Sequence, residues 1–156
     1  MALMIRPALA SDARSIGNLA RQFASYLSEL GDLTDFKLTA HAYVRDGFGT
    51  KPAFAGLVAE HEGKVIGYLL YHLGYDSDCA VRNMHVVDLY VDSAARNRGV
   101  GRALMARAAS IARETGAEEM IWSVYQSNTI AATFYEKLGA QWITDVFFMK
   151  LSTDKI

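Results

Sequence analysis

The sequence predicts a single α/β domain (α+β layered), built on a mixed β-sheet that helices cover on both faces. Strand-like segments cluster in the first half of the chain and alternate with helical segments in the second half. The apolar residues also change their period, from about two to about 3.6, between these halves. The resulting order is β-α-α-β-β-β-α-β-α-β. A length of 156 residues is typical of one domain, which we expect to span residues 1–156.

Polar caps and turn residues mark the elements of the first half. Ser11 or Asp12 can cap the first helix, and Thr39 can cap the second. A loop over 28–38 is rich in acidic residues, and Gly63 lies in a turn between two strands. The predicted strands cover 4–6, 53–61, 65–72 and 85–92, and the helices include 16–27 and 40–45.

Glycines end both helices of the second half. Apolar residues at positions 100, 104, 108 and 111 predict a helix over 100–115 that stops at Gly116. A second helix is predicted over 129–138, with Gly139 as its left-handed C-terminal cap. Strands are predicted over 120–124 and, as a strand or hairpin, over 142–151.

Composition excludes several classes of protein and site. With 16 basic and 17 acidic residues, the chain lacks the charge excess that grips nucleic acid. No apolar run is long enough to cross a membrane, and Arg6-Pro7 interrupts any signal peptide, so we expect a cytoplasmic protein. The single cysteine, Cys79, and the spacing of the four histidines predict neither a disulfide framework nor a metal site.

The strand over 85–92 contains one acid among apolar residues. Alternation predicts two faces, with Val87, Leu89 and Val91 on one and Val86, Asp88 and Tyr90 on the other. An acid inside such a strand is costly unless it is paired or hydrated. Asp88 can act as a base through water, anchor a cationic acceptor, or accept hydrogen bonds from backbone amides.

A glycine-rich loop between this strand and the next helix predicts an anion site. The first amides of a helix have no partner within the helix, and glycines let an anion approach them. Five arginines and no acid lie between Ser93 and Arg113, which favours a bound polyanion. The dinucleotide pattern GxGxxG/A fails at Leu104, and no P-loop pattern is present.

Two motifs in sequence order resemble the GCN5-related N-acetyltransferase (GNAT) superfamily. They are Arg96-x-x-Gly99-x-Gly101, after the strand Leu89-Tyr90-Val91, and Asn128-x6-Tyr135-Glu136-Lys137-Leu138-Gly139-Ala140. The N-terminal half is similar to the diamine branch (spermidine/spermine and thialysine acetyltransferases) in Ile5-Arg6-Pro7-Ala8 and Asp46-Gly47-Phe48-Gly49. The resemblance implies six to seven strands and about four helices, with strands four and five splayed around acetyl-CoA.

The resemblance also implies roles for individual residues. Tyr135 would protonate the departing thiolate as the general acid, and Asp88 is the second catalytic candidate. Acceptor contacts would come from Asp76, Asp88 and Trp122. The residues implied in acetyl-CoA binding are Leu89, Tyr90, Val91, Arg96, Asn97, Arg98, Gly99, Val100, Gly101, Arg102, Ala103, Asn128, Ala131, Tyr135 and Lys137.

Acid–base chemistry is consistent with these roles. An alkylammonium of pKa near 10.4 is only about 0.04% neutral at pH 7, so a base or water chain must remove its proton before attack. A phenol can then supply the proton that the leaving thiolate needs. Asn128 and Tyr135 are two helical turns apart and share a face with Ala131, which leaves room for a ligand along the helix.

Two positions depart from the diamine branch. Leu27 and Val87 stand where polyamine-acetylating relatives carry acids, so the resemblance favours a small amine acceptor over a long polycation. Two other functions remain open: a non-catalytic acyl-CoA sensor, and acetylation of a protein or peptide amine. The resemblance further implies a homodimer, to which the predicted C-terminal strand with Trp142, Phe147 and Phe148 could contribute.

Overall fold

The computed structural model describes residues 2–156. In this part of the chain, five strands form one sheet that four helices flank. In chain order the elements are β1 Met4–Pro7, α1 Ala13–Glu29, α2 Ala40–Gly47, β2 Ala55–His61, β3 Lys64–Asp76, β4 Val81–Val91, α3 Val100–Glu114, β5 Ala117–Ile121 and α4 Thr129–Leu138. The mixed α/β architecture and the four helices agree with the prediction.

The strands lie side by side in sequence order. β1 to β4 pair antiparallel, and β5 pairs parallel to β4 after the crossover through α3. Glu62 and Gly63 join β2 to β3 with φ angles of 52° and 73°, the positive values of a two-residue hairpin turn. Thr39 caps α2, since its side chain accepts the Ala42 N–H at 3.1 Å. The turn and the cap were both predicted.

Two hydrophobic layers hold the helices against the sheet. The layer beneath α3 includes Leu57, Leu69, Met84, Leu104 and Ala108. The layer beneath α1 and α2 includes Ile16, Leu19, Tyr43, Tyr68 and Leu70. Helices α1 and α2 bury one face of the sheet, and α3 and α4 bury the other. Each strand residue therefore belongs to one layer or the other, according to the face on which its side chain lies.

A β-bulge in β4 changes the predicted facing of its side chains. Leu70 pairs with Asp88 and Tyr71 with Val86, so Val87 is an extra residue without a partner on β3. Val86 therefore packs in the layer beneath α3, whereas Tyr90 packs beneath α1. The prediction that Val86 shares a face with Asp88 was wrong, because strict alternation does not survive an inserted residue.

β4 and β5 pair along only part of their length. The register joins Arg82–His85 of β4 to Ala117–Ile121 of β5. Residues 86–91 then continue without a partner on that side, because the chain leaves β5 after Ile121 and turns towards α4. The strand predicted at 120–124 thus lies three residues earlier. A gap opens between the two diverging segments.

The C-terminal segment differs from the prediction. No strand forms over 142–151, so residues 2–156 contain five strands and not six or seven. The side chains of Phe147, Phe148 and Met149 are at least 80% exposed. A composition typical of strands is not enough to form a strand over 142–151, because a strand forms only where another strand edge can pair with its backbone.

None of the helices within the described residues is long and apolar enough to span a membrane.

Candidate active site

The gap between β4 and β5 opens into a cavity of about 730 Å³. Its walls come from α1, the loop after it, the unpaired part of β4, the start of α3, the segment after β5 and α4. Most lining groups are aromatic or aliphatic, and the few polar groups sit at separate points of the wall. The cavity is large enough for an extended ligand and a second small molecule.

The start of α3 forms one end of this cavity. Gly99 has a φ of 78°, and nothing lies within 4 Å of the position that a Cβ would occupy there. The first intrahelical bond is from the Ala103 N–H to Gly99 O, so the amides of residues 100–102 have no helical acceptor. Gly101 packs against Phe134, where an added Cβ would meet the ring at 3.2 Å. The helix start is therefore open to an anion and tightly seated on α4.

Arg96 stabilises the loop that leads to this helix. Its Nε donates to Val91 O at 3.1 Å, and its guanidinium lies 4.9 Å from the ring centroid of Tyr26 and 5.2 Å from that of Tyr90. A backbone hydrogen bond and cation–π attraction thus hold the loop from β4 to α3 against Tyr26 of α1 and Tyr90 of β4. Arg96 thus lines the cavity while holding its wall in place.

Tyr135 lies in the cavity on α4. Its ring is 4.9 Å from that of Trp122 and 5.2 Å from that of Phe134, measured between centroids. Burial, and then the negative charge of Asp88, raise the pKa of the phenol to about 12. Tyr135 consequently keeps its proton at neutral pH.

Asp88 lies on β4 just beyond the bulge and faces the same cavity. Burial raises the pKa of its carboxyl from an ordinary 3.8 to about 7, and the neighbouring Tyr68 hydroxyl opposes that rise. No ion pair involves Asp88 among the described residues. An acid with this pKa can gain or lose a proton near neutral pH, which general acid–base chemistry requires.

Comparison with known proteins identifies the family. The model of the acetyltransferase (GNAT) family matches residues 20–140. The chain belongs to the GNAT family. It is 34% identical over 151 residues to the thialysine N-epsilon-acetyltransferase of Bos taurus, covering 92% of this chain and 86% of that one.

A further relative agrees with this assignment, and a solved structure shares the fold. A human spermidine/spermine N(1)-acetyltransferase-like protein 1 is 32% identical over 143 residues, which are 87% of this chain and 20% of that protein. The solved structure of an aminoglycoside N-acetyltransferase, AAC(6')-Iy, in complex with CoA has a TM-score of 0.77 at 20% identity, with 96% and 95% of the two chains covered. This GNAT protein is an acetyl-CoA-dependent N-acetyltransferase, nearest the diamine branch.

The GNAT cavity brings together most of the residues predicted for it. Those that line it are Asp88, Leu89, Tyr90, Val91, Arg96, Asn97, Gly99, Val100, Gly101, Arg102, Trp122, Asn128, Ala131 and Tyr135. Arg98, Ala103 and Lys137 do not line it, although they lie on the same loop and helices. Asp76 lies elsewhere: it ends β3, where its carboxylate accepts the N–H groups of Asp78 and Cys79 in the hairpin turn. That contact explains Asp76 as a turn residue.

Asn128 has a structural contact that its motif did not predict. Its Oδ1 accepts the Tyr26 hydroxyl at 2.7 Å and the Ala131 N–H at 3.2 Å, so it caps α4 and joins it to α1. These two bonds occupy the amide oxygen. The amide nitrogen, which only donates, is the part of Asn128 left to meet a ligand.

Sequence reasoning missed most of the wall that α1 and its following loop supply. Phe23, Tyr26 and Phe36 line the cavity, and the advance signals on α1 were the helical apolar period around Phe23 and the place of Leu27 in the family resemblance. Asp32, from the acidic loop, accepts the Tyr125 hydroxyl at 3.0 Å, which links the two sides of the cavity. The acidic loop was the signal for Asp32, whereas Tyr125 carried no signal.

Both positions that depart from the diamine branch lie in the cavity wall. Leu27 is 5% exposed on α1, and Val87 is the bulged residue of β4. They give an apolar surface close to Asp88. Among residues 2–156, no group of three His, Cys, Asp or Glu side chains is placed to hold a metal ion.

Proposed function

We propose that this enzyme transfers the acetyl group of acetyl-CoA to a primary amine of a small molecule, by direct attack of the amine in a ternary complex. The observation that carries the proposal is the position of three chemical groups in one cavity: the open amides at the start of α3, the Asp88 carboxyl and the Tyr135 phenol. An anion site, a proton acceptor and a proton donor are the groups that such a transfer uses.

The start of α3 suits the pyrophosphate of a coenzyme. Its amides face an open space above Gly99, and the helix dipole adds partial positive charge there. Arg102 lines the same end of the cavity and can pair with a phosphate. The backbone groups of residues 86–91 that face away from β3 have no strand partner, and they supply further groups along the cavity. Bound there, acetyl-CoA supplies an activated acyl thioester.

Asp88 is the group that we assign to the acceptor's proton. A primary amine reaches the enzyme as its ammonium form, and a carboxylate of pKa about 7 attracts this cation and takes a proton from it directly or through water. The apolar surroundings favour this transfer, because the neutral acid and neutral amine are easier to bury than the ion pair.

Tyr135 is the proton donor in the second half of the reaction. The charge of Asp88 contributes to the high pKa of Tyr135. When Asp88 accepts the proton of the amine, that charge disappears and Tyr135 becomes a stronger acid. The phenol then gives its proton to the departing sulfur. The two proton transfers are therefore coupled through the electrostatic interaction of the two side chains.

Direct transfer is supported by the position of the single cysteine. Cys79 is exposed in the turn between β3 and β4 and does not line the cavity. The charges of Asp76, Asp78 and Glu119 raise the pKa of its thiol, which lowers its reactivity as a nucleophile. The cavity therefore contains no cysteine thiol that could form an acetyl-cysteine intermediate.

The acceptor that fits this wall is a short amine with little additional positive charge. The hydrogen bond from Tyr125 to Asp32, and another from the Ser127 hydroxyl to Leu30 O at 3.0 Å, connect the two sides of the cavity. Such connections favour a small molecule over a protein or peptide chain. Leu27 and Val87 offer no charge to a long polycation, so an amino-acid-like amine such as thialysine suits the site better.

A thiol-release assay tests the proposal. Acetyl-CoA is combined with a panel of amines that includes thialysine, lysine, putrescine, spermidine, aminoglycosides and peptide N-termini. We expect release with a short amine, and Tyr135→Phe should lower kcat about 100-fold while coenzyme binding measured by calorimetry is retained. The control is Tyr75→Phe, an exposed tyrosine outside the cavity. Coenzyme binding without release from any amine would instead favour the acyl-CoA sensor.

We further propose that the enzyme is a homodimer in which the C-terminal segment of each copy covers the outer edge of β5 in the other copy. The segment over 142–151 presents exposed Trp142, Phe147 and Phe148, and the outer edge of β5 carries no sixth strand. A second cavity, of about 490 Å³, lies between β5, α3 and α4 beside that edge. A strand from a second copy would pair with the backbone of β5 and bury apolar side chains in this cavity.

Light scattering tests the dimer. We expect the mass of two chains for the intact protein and of one chain for a variant that combines Phe147→Glu with Phe148→Glu. The control changes the exposed Leu33 to Glu, since Leu33 lies in the loop after α1. A monomeric intact protein at micromolar concentration would exclude the pairing of the C-terminal segment of one copy with β5 of the other.

A further inference from the structure

A buried hydroxyl behind Asp88 has no hydrogen-bond partner. Tyr68 is fully buried in the layer beneath α1, and its hydroxyl is the buried side-chain polar atom without a partner among the described residues. Other tyrosines in this part of the molecule do have partners: Tyr43 donates to Leu9 O at 2.8 Å and Tyr26 to Asn128 at 2.7 Å. An unsatisfied hydroxyl in a core costs stability, so its presence calls for an explanation.

The strand order places Tyr68, on β3, on the side of β4 away from the gap between β4 and β5. Tyr68 pairs with Tyr90, and Leu70 pairs with Asp88, so Tyr68 and Asp88 are diagonal neighbours on the same face. Asp88 lines the cavity and Tyr68 does not. The carboxyl is therefore reached by substrate from one side and by a phenol from the other.

Few other polar groups face the carboxyl. Its titratable neighbours are Tyr68 on β3, Tyr125 after β5 and Tyr135 on α4. No arginine, lysine or histidine in the described chain forms an ion pair with it. Tyr90 directs its hydroxyl towards Gln22 at 3.4 Å, and Tyr125 donates to Asp32. Tyr135 is the proton donor to the leaving group, which leaves Tyr68 as the donor available to Asp88.

We infer that Tyr68 is a positioning residue for Asp88: its hydroxyl donates to the ionised carboxylate and holds it in the orientation that receives the acceptor's proton. The inference rests on the proposed role of Asp88 in catalysis. The mutual effects of the two groups agree with it, since the hydroxyl lowers the pKa of Asp88 and the charge of Asp88 contributes to raising that of Tyr68.

The arrangement has a chemical advantage. Without any donor, burial would raise the pKa of Asp88 further, and less of the carboxyl would be ionised at neutral pH. A cationic partner such as arginine would lower its pKa and make the carboxylate a much weaker base. A neutral phenol has an intermediate effect, because its hydrogen bond favours the ionised form without adding a charge. The carboxyl can then exchange protons close to neutral pH.

The test compares Tyr68→Phe with Tyr43→Phe. Both remove one hydroxyl from a fully buried tyrosine of the same layer, but Tyr43 bonds to a backbone carbonyl on the loop before α1. Loss of one hydrogen bond to a carboxylate should move the acidic limb of the kcat–pH profile of Tyr68→Phe up by about one pH unit. At pH 7 this lowers kcat about fivefold, and near pH 9 the variant approaches wild type.

Tyr43→Phe should leave the acidic limb in place. An unchanged limb in Tyr68→Phe, or an equal shift in both variants, would overturn the inference. A purely structural role for Tyr68 predicts an unchanged acidic limb, because removing a hydroxyl that does not bind Asp88 would not change the pKa of the carboxyl.

A second measurement separates this inference from the proposed function. The Asp88 side-chain carbon is followed by NMR in protein labelled with ¹³C-aspartate, and its signal is assigned by its absence in Asp88→Asn. We expect the titration midpoint to rise in Tyr68→Phe whether or not any amine is acetylated. Absence of turnover with a shifted midpoint would contradict the proposed function alone, whereas an unshifted midpoint in an active enzyme would contradict the role of Tyr68 alone.

Discussion

Two largely buried carboxylates of this protein have opposite surroundings. Asp12 accepts two hydrogen bonds from the Arg6 guanidinium, at 2.8 and 2.9 Å, and one from the Leu9 N–H. Asp88 faces a cavity and has only the Tyr68 hydroxyl close behind it. Arg6 is the main reason that the pKa of Asp12 is lowered, and burial is the main reason that the pKa of Asp88 is raised.

The difference shows how the same side chain can stabilise the fold in one place and have the surroundings of the proposed proton acceptor in another. A carboxylate with a full set of donors stays ionised at every physiological pH, so it stabilises the fold and cannot act as a base. A carboxylate without a cation destabilises the fold when ionised, but it can exchange a proton near neutral pH. Arg6 also contacts Glu60 at 2.9 Å, so the first site ties β1, β2 and the start of α1 together.

The largest expected effect separates the two carboxylates by activity. We expect Asp88→Asn to lower kcat/KM for the amine about 100-fold, because an amide cannot accept the acceptor's proton. Coenzyme affinity should change little, since the phosphate-binding end of the cavity is unaltered. Steady-state kinetics and calorimetry measure both quantities. A rate within threefold of wild type would show that Asp88 is not the proton acceptor.

The second effect concerns stability at the structural carboxylate. Arg6→Met leaves Asp12 buried without its cation, and we expect the free energy of unfolding to fall by about 2 kcal/mol in urea denaturation at pH 7. The control is Arg45→Met, which removes an exposed pair with Asp46 and should have no measurable effect. An equal decrease in the free energy of unfolding of the two variants would mean that the burial of Asp12 does not increase the cost of removing its cation.

The third effect is the opposite pH dependence of the two sites. The folded pKa of Asp12 is lowered, so its stabilisation is present above its ordinary pKa of 3.8 and is lost as the pH falls through the folded value. The folded pKa of Asp88 is raised to about 7, so stability declines as the pH rises from about 4 to 7. Asp88→Asn should therefore be more stable than wild type at pH 8, by on the order of 4 kcal/mol, and similar to it at pH 4.

Urea denaturation of wild type, Asp12→Asn and Asp88→Asn between about pH 2 and 8 measures this dependence. Asp12→Asn should be less stable than wild type by the same amount from pH 7 down to about pH 4, and the deficit should shrink only below the ordinary pKa of 3.8. A decline of stability with pH that persists in Asp88→Asn would assign it to another group.

The smallest effect involves a third carboxylate, which is partly exposed. Asp32 lies at the cavity wall, where the Thr34 N–H and the Tyr125 hydroxyl bind it, and these bonds lower its pKa. We expect Asp32→Asn to raise KM for thialysine about twofold and to leave kcat unchanged, because solvent screens its attraction for the cation. Added salt should produce a similar change in wild type. A large fall in kcat would instead place Asp32 among the residues that act on the reacting atoms.

Local sequence determined the elements whose signals lie within a few residues. Gly139 caps α4 in the left-handed conformation, and the hairpin at Gly63 and the cap at Thr39 formed where predicted. The loop before α3 was also readable, because glycines and unpaired helix amides are properties of a short segment. These features depend on backbone geometry that each residue type permits or forbids by itself.

Tertiary structure decided the features that depend on distant partners. The bulge at Val87 comes from pairing with β3, and it turns Val86 away from Asp88. The apolar residues over 142–151 favour a strand, but no edge within residues 2–156 pairs with them. Tyr68 lies behind Asp88 because two strands meet in one register, and no local pattern encodes that register. A residue's intrinsic preference sets which conformations are open to it, whereas the partner that buries it or accepts its hydrogen bonds selects among them.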